Sequence, residues 1–187
     1  MSTKTVGVGS SLVSKLDDYD KKLSKKIQDW ELGIFEYIIA VFGAAFTDHE
    51  TIWIPTMISL LIAKYHAIGY NMVLYYVIGI PITALWWTCM KYIFRRQRPD
   101  NNLGASRKYD FRLKQGTSYS FPSGDSVQAA FYATFFFLLY SNILYLIVFP
   151  WVAFARVYYK WHWVGDTLLG GFVGATFACI YFCCIQG

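Results

Sequence analysis

The sequence predicts an all-α membrane protein, a polytopic helical bundle of about six transmembrane helices preceded by an amphipathic helix. Of its 187 residues, 56% are apolar and 20% aromatic, whereas only 16% are charged. A soluble domain of this length has too little interior to bury so much apolar surface. The apolar residues also occur in blocks close to the roughly 17–25 residues with which a helix crosses a bilayer. These observations favour an integral, multi-pass membrane protein over a soluble helical bundle.

The first 30 residues form a polar and charged leader. Five apolar residues recur in it near a 3.6-residue period, with Lys and Asp between them: Leu12, Leu16, Leu23, Ile27 and Trp30. This pattern is typical of a helix lying on a membrane surface, and a solvated leader that feeds the first span is the alternative. We therefore divide the chain into a leader at 1–30 and a six-helix domain at 31–187.

Six apolar blocks predict the membrane spans of this domain. They lie at about 31–46, 51–68, 70–94, 123–140, 143–159 and 164–184. An even number of crossings puts both chain termini on one side of the membrane. The same count puts the loop at 95–121 and the turn near His162 together on the other side. The three motifs described below lie at those positions, so we expect them to converge on one face.

The loop at 95–121 is strongly basic. Seven cations face two carboxylates there, a surplus of five that equals the net charge of the whole chain: Arg95, Arg96, Arg98, Arg107, Lys108, Arg112 and Lys114 against Asp100 and Asp110. Such a patch beside a bilayer attracts phosphorylated or anionic lipids, although the positive-inside rule explains it as well. We expect no nucleic-acid partner, because there is no separate basic domain.

The first motif is a pair of cations at the end of the third span. Lys91 and Arg98 are seven residues apart, which is two helical turns, so they are predicted to share one helix face before Pro99 ends the helix. An ammonium and a guanidinium together can hold a phosphate. Two cations that extend to the membrane edge are the alternative interpretation.

The second motif begins the fourth span. Ser123 and Gly124 follow Pro122, and a helix start presents backbone N–H groups and a partial positive charge to an anion. Gly124 allows close approach of the backbone, and Ser123 adds a hydroxyl donor. An ordinary N-cap has the same sequence.

The third motif is a His–Asp pair with a nearby arginine. His162 and Asp166 are four residues apart, so the carboxylate can orient one imidazole nitrogen and leave the other to attack phosphorus. Arg156, at the end of the fifth span, can reach the same phosphate. The alternative is a pair that caps the sixth span. With three scattered histidines and no paired carboxylates, we expect neither a metal nor a cofactor.

The order and spacing of these motifs resemble the type-2 phosphatidic acid phosphatase family of membrane lipid phosphatases. The resemblance runs from about residue 31 to the C-terminus and rests on Lys91-x6-Arg98-Pro99, Pro122-Ser123-Gly124-Asp125 and Arg156-x5-His162-x3-Asp166. It implies metal-independent hydrolysis through a phosphohistidine, with His162 as nucleophile and Asp166 as its orienter. It also implies an active site facing the lumen or the outside, and a set of phosphate-binding residues: Lys91, Arg98, Ser123, Gly124 and Arg156.

The sequence departs from the family pattern at two positions. Ala155 replaces a Ser, and Asp125 replaces the His that is expected to protonate the leaving group. Asp125 can act as a general acid only if its pKa is raised, by burial or by a neighbouring phosphate dianion. Three interpretations remain open: a protonated Asp125, a slow or inactive protein, or a leaving group that needs little help.

The third interpretation points to a substrate. A lipid alkoxide is a poor leaving group, with a conjugate acid of pKa about 16. A lipid monophosphate leaves from a diphosphate with a pKa of roughly 6. The sequence therefore favours a prenyl diphosphate over phosphatidic acid. The alternatives are a catalytically weak or inactive lipid-phosphate-binding membrane protein and a lipid headgroup phosphotransferase, in which the Lys91 and Arg98 clamp is not expected. The sequence does not distinguish between the endoplasmic reticulum, another endomembrane and the plasma membrane. It also leaves the oligomeric state open.

Overall fold

The computed structural model describes residues 8–44, 53–65, 70–99 and 119–186, and within these ranges the protein is built from helices. The helices are α1 Val8–Gln28, α2 Phe35–Ala44, α3 Trp53–Tyr65, α4 Tyr70–Phe94, α5 Gly124–Tyr140, α6 Val148–Tyr158 and α7 Val164–Gln186, with a 3-10 helix at Ile143–Ile147 before α6. Most of the basic loop, namely residues 100–118, lies outside the described residues.

Helix α5 forms the centre of the bundle and packs against α4, α6 and α7. Its contact with α7 is close because α7 has glycines where the two helices meet. A Cβ atom at Gly170 would lie 2.9 Å from the backbone oxygen of Ser123, and one at Gly174 would collide with the backbone oxygen of Val127. Small residues at such positions let two helix backbones approach, as in membrane helix pairs. The starts of α5 and α7 consequently lie side by side.

Aromatic side chains fill the core between α4 and α5. Tyr76 is fully buried, and its ring centroid lies 5.5 Å from that of Phe131 and 5.1 Å from that of Phe136. A polar link joins the same two helices, since the Gln128 side-chain amide donates to Thr83 Oγ1 at 2.8 Å. These contacts set the position of α4, whose last turn carries Lys91.

Each of the six predicted apolar blocks contains a helix. Two of these helices, α4 with 25 residues and α7 with 23, are long and apolar enough to cross a membrane. Both keep large apolar side chains exposed, among them Leu85 on α4 and Phe172 on α7. The described part of α2 comprises 10 residues, Phe35–Ala44. The count of six spans stays a prediction.

Helix α1 packs at the end of the bundle that carries the three motifs. The Ser24 hydroxyl accepts a hydrogen bond from the Val164 N–H at 2.9 Å, and Asp20 Oδ1 accepts one from the Gly165 N–H at 2.8 Å. The prediction that the N-terminal segment lies opposite the motifs is therefore wrong for α1. The reason is that α2 stays beside the end of α6, where the Glu36 backbone oxygen accepts from the Tyr159 hydroxyl at 3.1 Å.

Helix α4 ends at Phe94, five residues before Pro99. Arg95 has a left-handed backbone with φ 49°, and its N–H donates to the Lys91 oxygen at 3.0 Å, which closes the helix. The chain then continues away from the helix, and the Ser120 N–H donates to the Arg96 oxygen at 2.7 Å. The prediction that Lys91 and Arg98 share a helix face is therefore wrong, because Arg98 lies beyond α4.

Candidate active site

The predicted site residues come together where the starts of α5 and α7 meet the ends of α4 and α6. Five of them are at most 3% exposed: Lys91, Ser123, Arg156, His162 and Asp166. The Ser123 N–H donates to the Asp166 backbone oxygen at 3.1 Å, which joins the second motif to the third. Arg98 joins the first motif to the third through His162. All eight predicted residues are linked by the contacts described below.

The His–Asp pair lies across the turn before α7. His162 Nδ1 is 3.7 Å from Asp166 Oδ2, which also accepts the Trp163 N–H at 2.9 Å. This Nδ1–Oδ2 distance exceeds a hydrogen bond, and such contacts commonly tighten when a substrate binds. With its proton assigned to Nδ1, facing Asp166, the imidazole presents the Nε2 lone pair to Arg98, whose Nη1 lies 3.2 Å away.

The surroundings of His162 favour its neutral form. Burial lowers the pKa of His162 to about 3, and the charges of Arg98 and Lys91 act in the same direction, whereas Asp166 opposes them. The imidazole is therefore uncharged near pH 7. A neutral ring with an unprotonated Nε2 is what nucleophilic attack requires.

Trp161 positions two cations, although the sequence analysis did not identify it. Its backbone oxygen accepts a hydrogen bond from Arg98 Nη1 at 2.8 Å. The Arg156 guanidinium lies over its ring, 4.2 Å from the centroid. We call Lys91, Arg98 and Arg156 the cation cluster. The only signal of this role in the sequence is the position of Trp161, directly before His162.

Trp87 explains why a glycine follows Ser123. The Lys91 ammonium lies 5.2 Å from the centroid of the Trp87 ring, and it donates to the Tyr119 backbone oxygen at 3.2 Å. A Cβ atom at Gly124 would lie 3.0 Å from the same ring. Gly124 thus gives Trp87 room against the start of α5, and Trp87 connects the first motif with the second.

Ser123 is the N-cap of α5, as the alternative interpretation of the second motif expected. Its Oγ accepts the Ser126 N–H at 3.4 Å and the Ser126 hydroxyl at 2.9 Å. With these acceptor positions occupied, the Ser123 hydroxyl still has its own proton to donate. Capping the helix and donating to an anion are therefore compatible roles.

Asp125 forms an ion pair with Arg156. Its Oδ2 lies 3.2 Å from Arg156 Nε, and its side chain is 20% exposed against 2% for Arg156. Arg156 also donates to the backbone oxygen of Gly43 on α2. A neighbouring guanidinium stabilises an ionised carboxylate.

The site brings three cations close to two carboxylates. The cation cluster contributes three positive charges, and Asp125 pairs with one of them. Asp166 is occupied on its other oxygen by Arg96. Three cations gathered at one place can bind a dianion such as a phosphate group. In the described part of the chain, no three His, Cys, Asp or Glu side chains group in a way that could hold a metal ion.

Arg96 is a further charged residue of the site that the sequence analysis counted only within the basic loop. Its Nη1 donates to Asp166 Oδ1 at 2.7 Å, and its Nη2 contacts Asp17 and Asp20 of α1 at 2.6 and 2.7 Å. Burial by itself lowers the pKa of Arg96, but the charge of Asp166 and the hydrogen bonds to all three carboxylates raise it above its ordinary value. No local pattern in the sequence distinguishes Arg96 from Arg95.

Comparisons with known proteins identify the family of this fold. The family model described as the PAP2 superfamily matches residues 68–187. Among solved structures, a transmembrane PAP2-type phosphatidylglycerolphosphate phosphatase from Bacillus subtilis has a TM-score of 0.72 at 19% identity, covering 92% of this chain and 87% of that one. LpxE from Aquifex aeolicus has a TM-score of 0.63 at 19% identity, covering 86% and 92%. No curated protein gives a significant match. At these identities the structural likeness concerns the fold.

Proposed function

Because the chain belongs to the PAP2 superfamily, we propose that it is a membrane lipid phosphatase that removes a terminal phosphate from a lipid through a phosphohistidine. The observation that carries this proposal is the orientation of His162. Its Nε2 faces Arg98 at 3.2 Å, while its Nδ1 faces Asp166 at 3.7 Å. The nucleophilic nitrogen is thereby directed at the place where the cation cluster would hold a phosphate.

The first step forms the phosphohistidine. His162 Nε2 attacks the terminal phosphorus in line, the bond to the leaving oxygen breaks, and that oxygen keeps the electron pair. Asp166 stabilises the positive charge that develops on the imidazole. The non-bridging oxygens are bound by the cation cluster, the Ser123 hydroxyl and the backbone at Gly124. This charge stabilisation comes from protein side chains, so we propose that the reaction needs no metal.

The second step releases inorganic phosphate. Water attacks the phosphorus, the P–N bond breaks, and His162 returns to its neutral state. An ionised Asp125 can accept the proton from that water. The ion pair with Arg156 thus supports a base role for Asp125 in this step better than an acid role in the first step.

The absence of a well-suited general acid at position 125 supports a diphosphate substrate. The departing lipid monophosphate has a pKa of roughly 6, so it leaves without a proton donor. An alkoxide leaving from phosphatidic acid does need one. We therefore favour a prenyl diphosphate over phosphatidic acid. Its hydrocarbon tail would enter sideways between helices, since it belongs in the bilayer.

We further propose that the domain crosses the membrane more than once and that α1 lies at the membrane surface, at the end of the bundle that carries the motifs. Two exposed apolar residues of α1, Leu12 and Leu16, are 62% and 61% exposed, which suits insertion among lipids. The site would then lie at one membrane face, on the non-cytosolic side. The membrane concerned is the endoplasmic reticulum, another endomembrane or the plasma membrane.

The test is release of inorganic phosphate by the detergent-solubilised protein with a chelator present. We expect release from a prenyl diphosphate, faster than from phosphatidic acid, and loss of at least about a thousandfold in His162→Ala, because a nucleophile cannot be bypassed. Arg98→Ala should also slow the release, because it removes one cation of the cluster, and Arg95→Ala is its matched control. Arg95 is exposed and donates to the Tyr92 oxygen, so its removal should leave the rate unchanged.

A second outcome of the same assay would identify a different function. The Arg156–Asp125 pair also favours a protein that binds a lipid phosphate without turning it over. Binding of the lipid by folded protein, with no phosphate released from either substrate, would establish that alternative. Transfer of phosphate to a lipid acceptor rather than to water would establish a headgroup transferase, for which the Lys91 and Arg98 clamp is not expected. Activity that the chelator abolishes would contradict metal independence.

A further inference from the structure

Arg96 connects α1 to the His–Asp pair. Its guanidinium bridges Asp166 Oδ1 on one side and the carboxylates of Asp17 and Asp20 on the other, all within 2.7 Å. Asp17 and Asp20 lie on α1, and Asp166 lies in the first turn of α7. One side chain thus joins two helices that are far apart in the sequence.

These contacts determine the orientation of the Asp166 carboxylate. Its two oxygens have separate partners: Oδ1 is bound by Arg96, and Oδ2 accepts the Trp163 N–H and faces His162. The side chain is completely buried, so no water replaces a lost partner. Without Arg96 the carboxylate could rotate, and the oxygen aimed at His162 would no longer be held.

Helix α1 also caps α7 directly. The first N–H groups of a helix lack partners within it. Here Ser24 accepts from Val164, the first residue of α7, and Asp20 accepts from Gly165, the second. A Cβ atom at Gly165 would lie 2.8 Å from Asp20 Oδ2, so a glycine at this position lets α1 approach. Asp166 is the next residue along the chain.

Polar bonds, rather than tight apolar packing, hold α1 on α7. A groove of about 390 Å³, largely open to the surroundings, lies between the two helices and is lined by the apolar side chains of Leu16, Leu23, Leu168 and Leu169. The direct links across this junction are the bonds of Asp20 and Ser24 and the bridge through Arg96. The contact between α1 and α7 is therefore specific in its polar pairing.

We propose that Arg96 is a positioning residue for the His162–Asp166 pair and that α1 is an active-site element, since it holds both Arg96 and the start of α7. This inference rests on the proposed function, because it assumes that His162 is the nucleophile. Arg96 lies between Lys91 and Arg98 in the sequence but acts on Asp166 rather than in the cation cluster. It contacts no substrate in this mechanism.

The first test uses Arg96→Gln, Arg96→Lys and the control Arg95→Gln. The readout is the single-turnover rate constant for phosphate release, which a smaller folded fraction does not change. Loss of a residue that orients a catalytic group commonly costs about 10–100-fold, and we expect that loss in Arg96→Gln. Arg96→Lys should recover part of the rate, since one ammonium can reach Asp166 but lacks the fork. The inhibition constant of inorganic phosphate should change less than about threefold, because Arg96 is not part of the cation cluster that would bind phosphate.

The second test asks whether α1 acts through Arg96. Asp17→Asn should slow the reaction in the otherwise unchanged protein, and should have no further effect when Arg96→Gln is already present. Asp17 is half-exposed, so this variant is expected to fold. The control is Asp18→Asn, which removes the same charge from an exposed position on the same helix.

The outcomes separate this inference from the proposed function. If His162→Ala keeps its activity, the proposed mechanism fails. If His162→Ala is inactive while Arg96→Gln and Asp17→Asn behave like their controls, only the role of Arg96 and α1 is overturned. Additive effects of Asp17→Asn and Arg96→Gln would likewise overturn the claim that α1 acts through Arg96.

Discussion

Asp125 is the residue at which this site departs most from the family pattern stated above. A carboxylate occupies the position where a His is expected, and this carboxylate forms an ion pair with Arg156. The interpretation as a protonated general acid requires this pair to be broken when substrate binds. The interpretation as a weak acid with an easy leaving group does not.

Asp125→His tests which substrate the site is suited to. We expect the rate constant kcat/KM for phosphatidic acid to rise about tenfold or more, because a general acid contributes about a hundredfold to ten-thousandfold when it is well placed. The value for a prenyl diphosphate should change much less, because its leaving group needs no proton.

Asp125→Asn is the control for that comparison. It removes the negative charge beside Arg156 without supplying a proton donor of suitable pKa. An equal gain for both lipids in Asp125→His and Asp125→Asn would attribute the effect to charge alone, and would contradict the argument from the leaving group.

At the scale of helices, the contact between α5 and α7 aligns the second motif with the third. Ser123 and Asp166 meet because glycines on α7 allow the two backbones to approach. The apolar blocks predicted both helices, but Gly170 and Gly174 had no part in that prediction. Their spacing of four residues is a local signal that could have indicated a close helix pair.

Gly174→Leu should separate α5 from α7. Its side chain would meet the Val127 backbone oxygen and the Ala130 side chain, and overpacking of this kind costs typically about 1–3 kcal/mol or more. We expect a lower thermal unfolding midpoint in detergent together with a loss of activity. Thr176→Leu places the same leucine side chain at an exposed position on the same helix and should leave the midpoint unchanged. Equal midpoints for the two variants would show that the close contact is unimportant.

For the whole molecule, the arrangement of α1 at the end with the three motifs suggests that the site and the membrane surface are neighbours. Apolar side chains of α1 are exposed, while Asp20 and Ser24 point to α7. A helix with these two sides fits between a bilayer and a protein. If α1 lies at the membrane surface as proposed, the membrane is part of the environment that holds α1 in place.

Spin labels in lipid vesicles test this placement. We expect a nitroxide at Leu12 to be relaxed mainly by oxygen, which concentrates in lipid, and one at Asp18 mainly by a water-soluble nickel complex. The four cysteines, all free and exposed, would first be replaced by alanine. Equal accessibility of both labels to the nickel complex would mean that α1 lies in water, away from the bilayer.

The sequence by itself determined the helical class, the apolar segments and the three motifs, and the expected family membership is confirmed. These features are local: hydropathy depends on neighbouring residues, and Lys91, Ser123 and His162 are recognisable from the few residues around each of them. Local rules also explain one wrong prediction, that Lys91 and Arg98 share a helix face. It assumed that the helix continues to Arg98, whereas the chain turns at Arg95.

Only the tertiary structure decided which charges meet. Arg96 and Asp166 are 70 residues apart in the chain, and Asp20 and Gly165 are 145 apart. The pairing of Arg156 with Asp125 and the stacking of Arg156 on Trp161 likewise require α5, α6 and the turn before α7 to be packed together. Residue spacing along the chain does not predict such contacts, because they arise from how helices pack against each other. The partners of each candidate site residue were therefore visible only once the bundle was assembled.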